Sequence, residues 1–303
     1  GRWGGLVRGE VSGYTTYAES TSVTAFHTLD SNEQWLVQIS ESARFGSEGF
    51  VGRGAFTYGE SRPGGQIKVL DLFSRSIVAN LEGAYPIVRS RNRNLNIAGG
   101  FDFVDQRTKD PTGVLNTSDD LRVAYMRFDG DYRTEVGAWP TLLSGGVGVR
   151  KGLSFLGASD SGDAGLTRLG AKPDAWVVRG QGGVDIAFTS RLSGSFRGQA
   201  QYTSSRLLPY EQFALGGLTV GRGYDPAALV GDKGVSGAFE LRYGPLQLHP
   251  RAQAAPYVFF DTGYIANNNV VAGAPKDRTI SSIGAGVVFR LFNRANLEVT
   301  YAH

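Results

Sequence analysis

Apolar and polar residues alternate with a period of two through most of the chain, in segments of about ten residues, which is the spacing of strands with one apolar and one polar face. From Ser190 to Thr203, Leu192, Gly194, Phe196, Gly198, Ala200 and Tyr202 share one face, and Ser193, Ser195, Arg197, Gln199, Gln201 and Thr203 share the other. Residues 280–291 set Ile283, Ala285, Val287, Phe289 and Leu291 against Ser282, Gly284, Gly286 and Arg290. Residues 296–301 set Leu297, Val299 and Tyr301 against Asn296, Glu298 and Thr300. Looser alternation marks 2–13, 20–30, 33–43, 49–60, 75–85, 93–106, 119–133, 141–152, 175–188, 235–244 and 252–264, giving fourteen strands with the three above. The faces of 119–133 are ambiguous, because Arg122, Ala124, Met126 and Phe128 alternate with Leu121, Val123, Tyr125 and Arg127. No helical period is sustained over ten residues.

A sandwich, propeller or β-helix needs a dry core on the second face, whereas these faces carry Arg, Gln, Ser and Asn. The pattern therefore predicts an all-β fold, a transmembrane antiparallel β-barrel with Arg197, Gln199, Gln201, Arg290 and Glu298 pointing into a wet lumen. Short connections at 14–19, 44–48, 86–92, 134–140, 189–190, 245–251 and 292–294 alternate with longer ones at 61–74, 107–118, 153–174, 205–234 and 265–277. Only Asp30 to Asn32 is short where the long class is due. Short turns face the periplasm and long loops the exterior, so both ends of this set fall outside the cell. Complete barrels start and finish in the periplasm, so one further strand is expected beyond each end, with residues 2–13 and 294–302 bordering one gap.

Composition narrows the alternatives. The chain has 303 residues, 41% hydrophobic, with 43 Gly and no Cys, which excludes disordered or collagen-like architecture and any thiolate metal site. The longest apolar runs, such as Ala254 to Phe260, stop far short of a membrane helix. Lys plus Arg number 31 against 28 Asp plus Glu, a near balance that predicts no nucleic-acid partner. The N-terminus has neither an initiator Met nor an apolar leader and reads as processed or trimmed. His27, His249 and His303 lack metal-ligand spacing, and no Gly-x-Ser-x-Gly elbow or phosphate loop occurs. The reading is therefore of a non-enzyme with no cofactor and no metal.

Two segments stand out. Phe213-Ala-Leu-Gly-Gly-Leu-Thr-Val-Gly-Arg-Gly-Tyr-Asp-Pro226, continuing to Gly231-Asp-Lys-Gly234, lies in the longest loop, where Leu215, Leu218, Val220 and Tyr224 call for burial. Phe259-Phe-Asp-Thr-Gly263 lies in a strand; with Val258 and Phe260 toward lipid, Asp261 faces the lumen.

Arg222-Gly223-Tyr224, preceded by Gly216-Gly217 and followed by Gly231-Asp232-x-Gly234, resembles the long-loop signature of the outer-membrane transporters of two-partner secretion, the haemolysin and filamentous-haemagglutinin secretion family. Phe259-x-Asp261-x-Gly263 is similar to that family's strand signature, and Asn32-Glu33, Arg44 to Gly49 and Tyr85 to Arg91 are weaker matches in the same order. One position departs: the family reads Val-Arg-Gly, whereas Gly221 precedes Arg222 here.

The resemblance implies sixteen strands, of which about fourteen lie in residues 1–303 as a transmembrane translocation domain, with the plug helix and the periplasmic N-terminal domains outside this sequence. It also implies that loop 205–234 folds inward and that Arg222, Gly223, Tyr224 and Asp261 form a latch in the lumen, supported by Gly216, Gly217, Asp232, Gly234, Phe259 and Gly263. In this reading Gly223 relieves a clash and Tyr224 is a flat apolar anchor. The implied function is export of a large secreted exoprotein, an adhesin or haemolysin, across the outer membrane of a Gram-negative bacterium without nucleotide hydrolysis. The implied partners are that exoprotein and outer-membrane lipid, around a monomeric barrel. A passive porin and a factor that inserts other barrels are the alternatives.

Overall fold

The computed structural model describes residues 4–29, 33–62, 71–112, 114, 116–217, 219–270, 275–292 and 295–303. Positions 2, 3, 30–32, 63–70, 113, 115, 218, 271–274, 293 and 294 of the segments read above lie outside them. The strands are β1 (Gly4–Ser12), β2 (Ser20–Thr28), β3 (Gln34–Phe45), β4 (Phe50–Ser61), β5 (Phe73–Arg89), β6 (Arg93–Lys109), β7 (Asn116–Val136), β8 (Trp139–Gly152), β9 (Trp176–Ala187) and β10 (Leu192–Tyr202). They continue as β11 (Phe213–Leu215), β12 (Leu229–Gly231), β13 (Lys233–Tyr243), β14 (Leu246–His249), β15 (Ala252–Ala266), β16 (Asp277–Leu291) and β17 (Ala295–Ala302).

Fourteen of them form one antiparallel meander in the order β1-β2-β3-β4-β5-β6-β7-β8-β9-β10-β13-β15-β16-β17. Among the described residues no ladder joins β1 to β17. Alternation sets the two faces of this wall. One registered row runs Val184, Phe196, Phe239, Phe260 and Ile283 on the outside, while the neighbouring row runs Arg197, Ala238, Asp261 and Ser282 on the inside. Phe196 is 48% exposed and Leu81 71%, with Phe56, Val147, Phe239, Val258 and Phe260 similarly open. So broad an apolar surface suits a bilayer and would be a liability in water. Inside, Gln199, Gln201, Asn80, Glu82 and Arg127 line a cavity of ≈ 800 Å³.

The ambiguous strand resolves by what covers it. Tyr125 and Arg127 face the lumen and hydrogen-bond Glu82, and Leu121 and Val123, of the same parity, are buried against Leu166, Ala171 and Leu208. Arg122, on the other face, lies 3.3 Å over the Phe103 ring and donates to the Leu156 carbonyl. The segment 153–175 thus grips β7 on both faces, beyond the length that a bilayer needs of a strand.

Three differences from the alternation reading are local. The connection at 107–118 is shorter than expected, because β6 and β7 pair on to Lys109 and Asn116. The connection at 245–251 contains β14, which pairs β15 with a register shift between Gln247 and His249. The long loop holds its own hairpin, β11 with β12, joined at Phe213 to Gly231. Pieces of three or four residues are too short for period two to register.

Candidate functional site

The long loop between β10 and β13 does not stand away from the barrel. Its hairpin carries Phe213 and Leu215 on one side, and these with Val220 are buried against Ala238, Ile265 and Ile280 of the inner wall. Wall glycines make room: a Cβ at Gly263 would stand 2.5 Å from Leu215 Cδ2, and one at Gly234 would stand 2.3 Å from Phe213 Cδ1. At the turn of the loop, Gly216 has φ +106°, and a Cβ there would meet the Asp225 carbonyl oxygen at 2.2 Å. Only glycine fits such backbone. Gly217, next to it, also has positive φ.

The tip presents Gly221 and Arg222 to the wall. Asp261, 0% exposed, accepts hydrogen bonds at Oδ1 from the Gly221 N–H at 2.5 Å and the Ser282 hydroxyl at 2.6 Å. The Arg222 N–H donates to Ser282 Oγ at 3.0 Å. Arg222 Nε stands 3.5 Å from Asp261 Oδ2, and neither atom has a hydrogen-bond partner, so this buried ion pair stops short of full closure. Arg222 Nη1 reaches Glu240 at 3.1 Å, and the guanidinium lies 4.1 Å over the ring of Phe259. Glu240 in turn holds Arg242 at 2.6 Å. A guanidinium has donors and a flat face to serve two carboxylates and a ring at once, which an ammonium cannot do.

Two roles expected inside the motif are corrected. The glycine that avoids a clash is Gly221, with φ +75° and a virtual Cβ 2.4 Å from Ile280 Cδ1; at Gly223 a Cβ would stand 3.4 Å from the His303 backbone. The departure at 221 therefore has a physical reason: the tip turns sharply there to aim its N–H at Asp261. Tyr224 is 44% exposed rather than buried, and its N–H closes a four-residue turn onto the Gly221 carbonyl.

Two further fastenings hold the loop. Asp232, 0% exposed, accepts from the Leu207 N–H at 2.9 Å, the Asn268 N–H at 2.7 Å and Arg168 Nη1 at 2.5 Å. Arg168 belongs to the segment 153–175, so Asp232 joins three extracellular loops. At the other end of the long loop, a single 3-10 turn, Pro209–Glu211, buries Glu211 against Arg150 of β8 and Arg179 of β9. Arg150 also binds Asp102 at 2.6 Å. Alternation did not single out Glu211, Arg150, Arg179 or Arg168. The available signal was a carboxylate directly after the apolar stretch Leu207-Leu208-Pro209-Tyr210.

A meander with an outward-facing apolar belt, a polar lumen and a loop folded into it has the architecture of an outer-membrane β-barrel. The family model of the haemolysin secretion/activation proteins ShlB/FhaC/HecB matches residues 16–289, and the chain belongs to that family. Among solved structures, CdiB from Escherichia coli is similar with a TM-score of 0.81 at 15% identity, over 98% of this chain and 55% of that one. CdiB from Acinetobacter baumannii gives 0.63 at 15% identity, over 99% of this chain and 55% of that one. BamA from Haemophilus ducreyi lacking POTRA domains 1-3 gives 0.65 at 14% identity, over 98% and 63%. No curated protein matches the chain. The chain thus spans about half the length of the CdiB structures, and these likenesses speak to the fold.

Proposed function

We propose that this barrel exports a secreted exoprotein through its lumen, as the outer-membrane half of a two-partner secretion pair, and that the Arg222 tip is a releasable latch on the loop that occupies the pore. The observation that carries the reading is the anchoring of Arg222 and Gly221 at Asp261 inside the wall, at the tip of a loop whose apolar hairpin packs on the inner wall. An extended chain passing that point needs the loop displaced. The unclosed Arg222–Asp261 contact suits a latch better than a structural tie. Breaking a fully dry ion pair of this kind costs about 3–5 kcal/mol, and lumen water lowers that. Transport draws on the exoprotein folding outside the cell and needs no nucleotide. Lipid contacts the outer belt, the barrel acts as a monomer, and residues 1–303 are the translocation domain.

Export then alternates latched and released loop. Arg222→Ala is expected to lower secretion of the partner while the barrel still inserts and shows normal heat-modifiability on a gel. Arg222→Lys restores secretion only in part, because a point charge cannot serve Asp261, Glu240 and Phe259 together. Normal secretion by both Arg222→Ala and Asp261→Ala would refute the latch. A stable, solute-selective open conductance with no effect on any secreted partner would favour a porin, and altered bulk outer-membrane protein content would favour an assembly factor.

A further inference from the structure

The Glu211 contact is more specific than a charge pair. Its carboxylate receives Arg150 Nε at 2.9 Å and Nη2 at 2.7 Å, and Arg179 Nη2 at 3.3 Å. Its backbone carbonyl receives Arg179 Nη2 at 3.1 Å and Gln201 Nε2 at 2.9 Å. The wall therefore reads both the side chain and the main chain of one acidic residue, with donors from three consecutive strands, β8, β9 and β10. All three side chains stand on barrel strands, and Glu211 alone arrives on the loop.

We propose that Arg150, Arg179 and Gln201 form a binding site for an acidic residue of a polypeptide, occupied here by the loop's own Glu211 as an internal stand-in. This rests on the reading of the lumen as a polypeptide path. The charge arithmetic gives the site its character. With Glu211 present, Arg150 and Arg179 are balanced by Asp102 and Glu211; without it they carry one net positive charge. The Arg222 anchor, about three strands further round, is the mirror case. Glu240 and Asp261 are balanced by Arg242 and Arg222, and without Arg222 they carry one net negative charge. The loop therefore brings an anion to a cationic patch and a cation to an anionic patch. Its release uncovers both, the first near the long-loop ends of β8, β9 and β10 and the second further down the lumen on β13 and β15, so that a passing chain would meet them in turn.

The test is ion selectivity of the full-length protein in planar bilayers across a KCl gradient, with no exoprotein present, so that its outcome is independent of whether secretion is the function. Fixed charge at a narrow point of a pore selects counterions. Glu211→Gln should shift the permeability ratio toward chloride, by about twofold or more, and Arg222→Ala should shift it toward potassium. The freed site should also bind the peptide Pro-Tyr-Glu-Gln-Phe, so that this peptide blocks the Glu211→Gln pore and Pro-Tyr-Gln-Gln-Phe does not. Adding Arg150→Gln to Glu211→Gln should abolish the block. Heat-modifiability of each variant confirms a folded barrel. A loop that merely loosened would shift both variants in the same direction. Shifts of the same sign, no shift, or equal block by the two peptides would overturn the assignment.

Discussion

Replacing Asp232 with Ala should release the extracellular side of the long loop without unfolding the barrel. Asp232 is fully buried, and its carboxylate is the acceptor for the Leu207 and Asn268 N–H groups and for Arg168. Alanine leaves two backbone donors and a guanidinium without it. Each orphaned backbone donor costs about 1–3 kcal/mol, and breaking a buried pair from one side costs about 3–5 kcal/mol. These overlap, so the expected loss of loop stability is about 3–5 kcal/mol rather than their sum. Even the lower figure multiplies the open population about a hundredfold. None of the strand ladders passes through Asp232, so heat-modifiability should persist. The assay is trypsin cleavage on intact cells at Arg206 and Lys233, whose rate follows the open population when reclosing is fast. Asp232→Asn keeps one carbonyl acceptor and should fall between wild type and Ala, and Asp225→Ala, on an exposed part of the same loop, should match wild type. Equal cleavage of wild type and Asp232→Ala would show that the three loops are not held at this carboxylate.

Gly216→Ala should loosen the tip by about 1–3 kcal/mol, since it forces a side chain into positive φ and against a backbone oxygen; the readout is a fall in secretion at constant folded barrel. Gly263→Val should act from the wall side by displacing Leu215, and a smaller residue at 215 should partly rescue it. Glu19, in the turn between β1 and β2, gives a pH dependence. Burial pushes its carboxyl up, but hydrogen bonds from the Thr15 hydroxyl and N–H outweigh this and hold it below its ordinary 4.5. Its contribution to the turn is therefore present above pH 4.5 and lost as pH falls through the folded value. Amide-exchange protection at Thr15 should drop on acidification in wild type and stay low and flat in Glu19→Gln.

The barrel was legible because a lipid face and a water face impose period two on every strand, and because turns on the two sides differ in length. Arg222 and Asp261 were legible as motifs, and the inward side of Asp261 followed from the cost of a carboxylate toward lipid. The rest depends on where distant segments land. Arg168 meets Asp232, and Arg150 meets Glu211, across more than sixty residues with no pattern to pair them. The ambiguous faces of β7 were ambiguous for a physical reason: Leu121 and Val123 lie on the lumen side yet beneath folded loops, so an apolar residue there is as well placed as the polar Arg127 further along the same face. Tyr224 is exposed although apolar content argues for burial of the loop as a whole, because such content says nothing of which individual side chain the tip turn leaves outward.

The central claim is that the loop must leave the wall for the exoprotein to pass. The chain has no Cys, so a paired Leu215→Cys and Gly263→Cys substitution would form the one disulfide available. The geometry allows it: the Gly263 Cβ position is 3.2 Å from Leu215 Cγ, close to the separation of about 3 Å between a Cβ and the distal sulfur of a disulfide. Secretion of the exoprotein should stop when the pair is oxidised and recover on reduction, with the barrel folded throughout. Undiminished secretion by the fully oxidised protein would contradict the account.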